Sequence, residues 1–307
     1  MRRPLRALRA LGALRALGAL SALSALSACA PDPLALNAAA PDYGLPSAAG
    51  GAGGAPSAAW TDAPLAAGEV PDLSGLWRMT QVTTIQMTLP VVQTEMVTTI
   101  TSKLSVVVTQ EGSALRLSGR TCSVEMTNEP NLGQRLIPLA FIESMPPLNR
   151  RARLLSAEGG GALRFEAPRT YAVSGAWLED PATEPLPREA SDPRVLDGDR
   201  DGHPGLTVHL TGFPAGDVYI AQRTWDVLRG EVRSAGRIEG EIEWSEDRVT
   251  LGATAEILLV EVPSVIVPDP ALQRFTLERV PSEPAGACAW ARSAPAPTPA
   301  PAGAEGG

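Results

Sequence analysis

Histidine, cysteine and lysine are all scarce in this chain of 307 residues, which holds two histidines, three cysteines and a single lysine, Lys103. Aromatic residues amount to 4% of the total. Each shortage removes a class of chemistry. With no Cys-x-x-Cys pair, and with His203 and His209 as the imidazoles, a zinc site lacks its usual ligand set. No Gly-x-Ser-x-Gly elbow, no His-Glu-x-x-His helix and no phosphate-binding glycine loop occurs, so the familiar signatures of hydrolases, metalloproteases and nucleotide enzymes are missing. The 26 basic residues are outnumbered by 34 acidic ones and are scattered. That balance runs against nucleic acid, whose recognition starts from a basic patch. The middle of the chain also lacks any helical periodicity long enough for a stable helix.

What is present begins with the leader. Arg2, Arg3, Arg6 and Arg9 precede Ala16 to Ala28, an uncharged run of Leu, Ala, Gly and Ser. A spanning helix needs about 20 apolar residues, so this run is too short to cross a bilayer. It has the length and charge pattern of a signal peptide. Leu26-Ser27-Ala28-Cys29 closes it and resembles the lipobox of bacterial lipoproteins. The resemblance implies cleavage before Cys29 and acylation of its thiol. With Ala30 following, it also implies sorting to the outer membrane, with the chain facing the periplasm or the cell surface. Two or three acyl chains hold a protein stably where one chain does not. The leader takes five arginines with it, counting Arg15, so the mature chain is more acidic still. Once Cys29 is assigned to lipid, Cys122 and Cys288 remain. An even remainder in an oxidising compartment favours one disulfide over two separate buried thiols.

Composition divides the chain into a signal peptide (1–28), a disordered tether rich in Ala, Gly, Pro and Ser (29–70), one folded domain (71–290) and a disordered tail (291–307). The domain alternates like β-structure. Trp77, Met79, Ile85, Met87 and Leu89 share one parity, opposed by Arg78, Thr80, Thr84 and Thr88. Met96, Ile100, Leu104, Val106 and Val108 continue the pattern, and Ile238, Gly240, Ile242 and Trp244 alternate with Glu239, Glu241 and Glu243. Further strands are expected at 114–126, 163–173, 205–212, 217–229, 249–262 and 272–280, with a bulge near Ser118-Gly119 where parity switches. Turns are expected at Glu111-Gly112, Asn128-Glu129-Pro130, Phe213 to Gly216 and Ser245-Glu246-Asp247. Segment 133–155 is ambiguous. Long strands at hairpin spacing point to an all-β fold, an antiparallel up-and-down β-barrel or a strongly curved sheet. A transmembrane barrel fits poorly, because aromatics are few and the chain ends in a tail.

Gly75-Leu76-Trp77, early in the first strand, resembles lipocalins and related calycin barrels. That resemblance implies a tryptophan plugging the closed end under an arginine from the last strand, either Arg274 or Arg279. It also implies an interior able to hold a small apolar ligand. Otherwise Trp77 is simply a core tryptophan.

Asp197-Gly198-Asp199-Arg200-Asp201-Gly202-His203 resembles the start of the calcium loops of EF-hands and thrombospondin type 3 repeats. Alternate residues of a tight loop can aim oxygens at one centre, and calcium takes six to eight of them. Asp197, Asp199 and Asp201 are then side-chain ligands and the His203 carbonyl a fourth, with Asp192 and Asp217 as candidates to complete the shell. Val208 stands where an EF-hand has its bidentate glutamate. The plainer reading is a solvated acidic turn. His209, on the polar parity of its strand, reads as a solvent-facing imidazole, and Glu239, Glu241 and Glu243 read as an exposed stripe.

Together these features predict a membrane-anchored, non-enzymatic lipoprotein that binds a small apolar or lipid-like ligand in a lipocalin-like barrel, with structural Ca2+ in one loop. The alternative is a structural or protein-interaction module of the cell envelope with a filled interior. A hydrolase with its site on unrecognised loops ranks third.

Overall fold

In the computed structural model the described residues are 70–89, 94–156, 162–212, 214–260, 262–280 and 288–291. The leader, Cys29, the tether up to residue 69 and the tail beyond Ala291 lie outside them. Eleven antiparallel strands form one sheet: β1 (Gly75–Leu89), β2 (Thr94–Glu111), β3 (Ala114–Glu129), β4 (Gly133–Leu136), β5 (Leu148–Leu155), β6 (Arg164–Ser174), β7 (Leu206–Gly212), β8 (Gly216–Ser234), β9 (Arg237–Ala253), β10 (Ser264–Ile266) and β11 (Arg274–Val280). One short helix, α1 (Leu139–Ser144), precedes β5.

Pairing runs β1-β2-β3-β5-β6-β8-β9-β11 and returns from β11 to β1, so eight strands make a ring in chain order. The other three sit off the ring. β10 continues the line of β11 along β1, β7 continues the line of β6 along β8, and β4 pairs with β7. All three lie toward the end of the ring far from Trp77.

Alternation dictates which face turns inward. One apolar cluster draws on every ring strand, with Trp77 and Met79 from β1, Val106 from β2, Leu117 from β3, Leu154 from β5, Phe165 from β6, Leu228 from β8, Ile238 from β9 and Leu277 from β11. Burying side chains of this size stabilises by roughly 1.5–3 kcal/mol each before conformational entropy is counted. Gly230 and Gly240 face each other across β8 and β9. A Cβ on Gly230 would lie 3.0 Å from the tip of the Phe275 ring, and one on Gly240 would lie 2.3 Å from the Gly230 Cα. Gly230 therefore gives the aromatic ring its space, and Gly240 lets the two backbones approach.

Several local expectations change. The parity switch in β3 falls at Cys122 rather than at Ser118-Gly119: Leu104 pairs with Thr121 and Lys103 with Ser123, leaving Cys122 as the extra residue. A bulge re-aims its side chain, and Cys122 is buried beside Cys288, Ala291 and Trp290. Ser245-Glu246-Asp247 is not a turn. β9 runs straight through it, because Asp247 pairs outward with Arg223 while Glu246 and Arg248 line the interior. The residues from 256 to 259 form a 3-10 turn instead of extending a strand over 249–262. The ambiguous 133–155 segment resolves into β4, α1 and β5.

Where β11 stops and β10 begins along β1, the buried amide of Gln273 replaces the missing ladder. Its Nε2 donates to the carbonyls of Thr84 (2.9 Å) and Val267 (3.0 Å), and its Oε1 accepts from Thr84 N (3.1 Å) and Trp244 Nε1 (2.9 Å). The break leaves those polar atoms partnered, as burial requires.

Candidate functional site

The ring is closed at the Trp77 end. Trp77 is fully buried and its indole N–H donates to the Leu73 carbonyl at 2.9 Å. Arg279, its partner across β1 and β11, holds its guanidinium carbon 6.0 Å from the indole centroid. The same guanidinium donates to the carbonyls of Asp72 at 2.8 Å and of Ser74. Burial lowers the Arg279 pKa, and the Asp72 carboxylate partly offsets that. Gly75 has a φ of 139°, and a Cβ there would sit 3.3 Å from Arg279 Nε. Glycine at this position serves both the backbone and the arginine. Arg274 is elsewhere: it is exposed and donates to the Ala271 carbonyl at 2.8 Å. Of the two candidate arginines, Arg279 is the one against Trp77. It shares parity with Phe275 and Leu277, a signal present in the sequence.

The other half of the ring holds a cavity of about 840 Å3. Its apolar lining includes Ile85, Ile100, Val124, Met126 and Ile220, with Ile137, Phe141 and Met145 arriving from the β4–α1 segment. Polar side chains share the same strands. At the level where the packed core gives way, Arg150 of β5 meets the Asp226 carboxylate through both terminal nitrogens, one of them at 3.2 Å from Oδ2. Gln81 Nε2 donates to the same Oδ2 at 3.3 Å. The Arg150 side chain is 1% exposed and that of Asp226 26%, so the arginine is in protein and the acid borders the cavity. Arg150 Nε finds no acceptor among the described residues.

Nearer the mouth, Arg248 pairs with Glu246 at 3.4 Å. Arg135, from β4, reaches the Met87 sulfur at 3.3 Å. Burial and the neighbouring Arg248 pull the Arg135 pKa down to about 10, against Glu246, which raises it. It stays charged at neutral pH. Gln81, Arg150, Asp226, Arg135, Glu246 and Arg248 were not identified from the sequence as site residues. For Gln81 the signal was there, a polar residue on the parity of Trp77, Met79 and Ile85.

The acidic loop lies between β6 and β7. The carboxylates of Asp197, Asp199 and Asp201 have oxygens within 4.8 Å of one another. Asp197 accepts from the backbone N–H of Asp201 (3.1 Å) and Gly202 (3.0 Å), and Asp199 Oδ2 accepts from Thr207 N at 2.8 Å. Asp201 accepts from His203 N at 2.8 Å and from the Thr207 hydroxyl. Asp199 Oδ1 is buried with no partner among the described residues. Burial, then the charges of Asp201 and Asp197, push the Asp199 pKa up. The His203 ring stacks on Tyr219, centroids 4.2 Å apart, so the contact of this residue with the cluster runs through its backbone. Asp192 and Asp217 do not join it. Asp192 is held by Arg194 at 2.8 Å, and Asp217 lies 2.5 Å from His209 Nδ1.

Cys122 and Cys288 are joined, with their Cα atoms 5.1 Å apart. The 288–291 segment thereby packs on the outer face of β1, where the Arg78 guanidinium lies 5.1 Å from the Trp290 ring. Glu239 and Glu243 face outward into arginines, Glu239 to Arg233 and Arg237 and Glu243 to Arg229. Among the described residues no helix is long and apolar enough to cross a membrane. Comparison with protein families, with curated proteins and with solved structures gave no match.

Proposed function

We propose that the protein is an outer-membrane lipoprotein, anchored through acylated Cys29, whose all-β domain is a lipocalin-like barrel that carries a small apolar or lipid-like ligand without transforming it. The observation that carries this reading is the contrast inside the ring, a packed half beneath a cavity of about 840 Å3. Ligand sites typically measure about 300–1,000 Å3 and are mostly apolar with a few placed polar groups. The Gly75, Trp77 and Arg279 arrangement supports the barrel resemblance, since a cation over an indole is a specific lid worth about 0.5–2 kcal/mol. Native mass spectrometry of the purified mature chain is expected to show a co-purifying lipid-like molecule. A hydrophobic fluorophore should bind, and Thr83→Trp, which fills the cavity from β1, should abolish its signal. A chain that carries nothing and leaves the fluorophore dark rejects the carrier reading.

The acidic loop is read as a structural calcium site. Asp199 Oδ1, buried and unpartnered, is the oxygen that a cation would satisfy, and neighbouring Asp197 and Asp201 would add charge. With Asp192 and Asp217 engaged elsewhere, carbonyls and water would supply the rest. EDTA should lower the melting temperature, and Asp199→Ala should remove that sensitivity. A melting curve indifferent to EDTA rejects calcium.

An envelope interaction module is the second reading. It rests on Leu132, Leu136, Leu139, Leu259, Val260 and Val265, all exposed on segments that leave the ring at its cavity end. Paired Leu136→Glu and Leu139→Glu changes separate the two: they should release a bound envelope protein under the second reading, whereas under the carrier reading they should leave fluorophore binding intact.

A further inference from the structure

We propose that the cavity selects amphiphiles with one anionic head, and that Arg135 is the group that meets that head. The inference rests on the carrier reading and sharpens it. The charged groups that face the interior are few, and most are already matched. Arg150 is closed on Asp226 at the floor, and Arg248 on Glu246 at the wall. Arg135 is the exception. Among the described residues no carboxylate comes within ion-pair distance of it, and the one acceptor it meets is the Met87 thioether. A thioether is a weak acceptor, whereas charges withdrawn from water are ordinarily paired. With Arg135, Arg150 and Arg248 against Asp226 and Glu246, the interior groups carry a surplus of one positive charge. This cationic interior belongs to a chain whose net charge is −8.

The form of the surplus matters as much as its sign. A guanidinium presents a planar fork that fits the paired oxygens of a carboxylate or phosphate, which an alcohol or amine head cannot match. Arg135 is also placed for an amphiphile rather than for a free anion. Its neighbours along the chain, Ile137 and Phe141, line the same cavity, as do Ile100, Met126 and Ile220 on the ring. The apolar tail lies among these side chains while the head stays at the mouth. β4 is outside the ring, so the head-binding residue is held by an appended strand and not by the ring itself.

The test uses four probes of one chain length, dodecanoate, dodecyl phosphate, dodecanol and dodecylammonium. Each is titrated into the full mature protein below its aggregation concentration. Both anions should bind about tenfold or more tightly than the alcohol, with the cation weakest. The tighter of the two anions identifies the head as carboxylate or phosphate. Arg135→Gln should bring the anions to the affinity of the alcohol, while Arg135→Lys retains part of the preference. A circular-dichroism spectrum of Arg135→Gln that matches the wild type shows that the variant is folded. Should it not fold, the wild-type protein still decides: salt must weaken the anions and leave the alcohol alone. Equal binding of acid and alcohol overturns the inference while leaving the carrier reading standing. An anion preference that survives Arg135→Gln overturns the role of Arg135. If no probe binds, both readings fall.

Discussion

At the Trp77 end of the ring all eight strands send apolar side chains into one cluster, whereas toward Met126 those strands turn Gln81, Thr83, Ser102, Thr121, Thr224 and Asp226 inward. The two halves share strands, twist and alternation, and differ in what occupies the inward parity. Large side chains meet across the ring and close it. In the other half these polar side chains stand among Ile100, Val124, Met126 and Ile220 without meeting across the ring, and the space between them is the cavity. The boundary is the Arg150–Asp226 pair with Gln81, where the interior changes from packing to charge.

The largest effect expected on this contrast comes from Trp77→Ala. Removing a fully buried indole costs about 3–5 kcal/mol and should lower the denaturation midpoint sharply, while Thr83→Trp, on the same strand and parity, should leave it nearly unchanged. Similar losses from both would mean that the cavity half is as much a part of the core as the packed half. Next, replacing Cys122 and Cys288 with serine opens a link spanning 166 residues. This should cost about 2–4 kcal/mol, measured by urea unfolding, with fluorophore affinity retained.

Asp226→Ala should cost less, about 1–3 kcal/mol, because it strands the Arg150 guanidinium. A fully buried pair would lose more, but Asp226 is partly open to the cavity. Adding Arg150→Met to Asp226→Leu should recover most of the loss, since two matched apolar groups need no partner. Failure to recover would place the value of the pair in positioning rather than in charge.

The smallest effect lies on the outer face of the ring. Hydrogen bonds from Arg237 and then Arg233 hold the Glu239 carboxyl below its ordinary range. A depressed carboxylate stabilises above its unfolded pKa, and that contribution is lost as pH falls through the folded value. Glu239→Gln should therefore flatten the acid limb of the stability profile by less than about 1 kcal/mol, since the pair is exposed.

Strand identity was legible because alternation is local: β1 and β9 announce their faces within a few residues. The polar inward residues were not, because a rule that equates inward with apolar turns them into apparent turns. Glu246 and Asp247 read as a loop for that reason, although Trp244, Glu246 and Arg248 keep one parity throughout. Arg135 stood in a segment with no usable period, and its place at the cavity mouth depends on β7, some 70 residues away, pairing with β4. The closed end shows the opposite case. Gly75 and Trp77 are two residues apart and readable, and parity separates Arg279 from Arg274.

The order of strands around the ring has a consequence for how the chain is completed. Seven of the eight junctions join strands that follow one another in sequence, apart from the short off-ring inserts, so each can form soon after its second strand is available. The eighth joins β1 to β11 and must wait for nearly the whole domain. Until then the molecule is an open curved sheet with two unpaired margins, β1 and β9, both long enough to recruit a neighbouring chain. A protein truncated after Ala253 would keep those margins exposed permanently. The seven residues of β11 are therefore what pairs both margins and closes the ring.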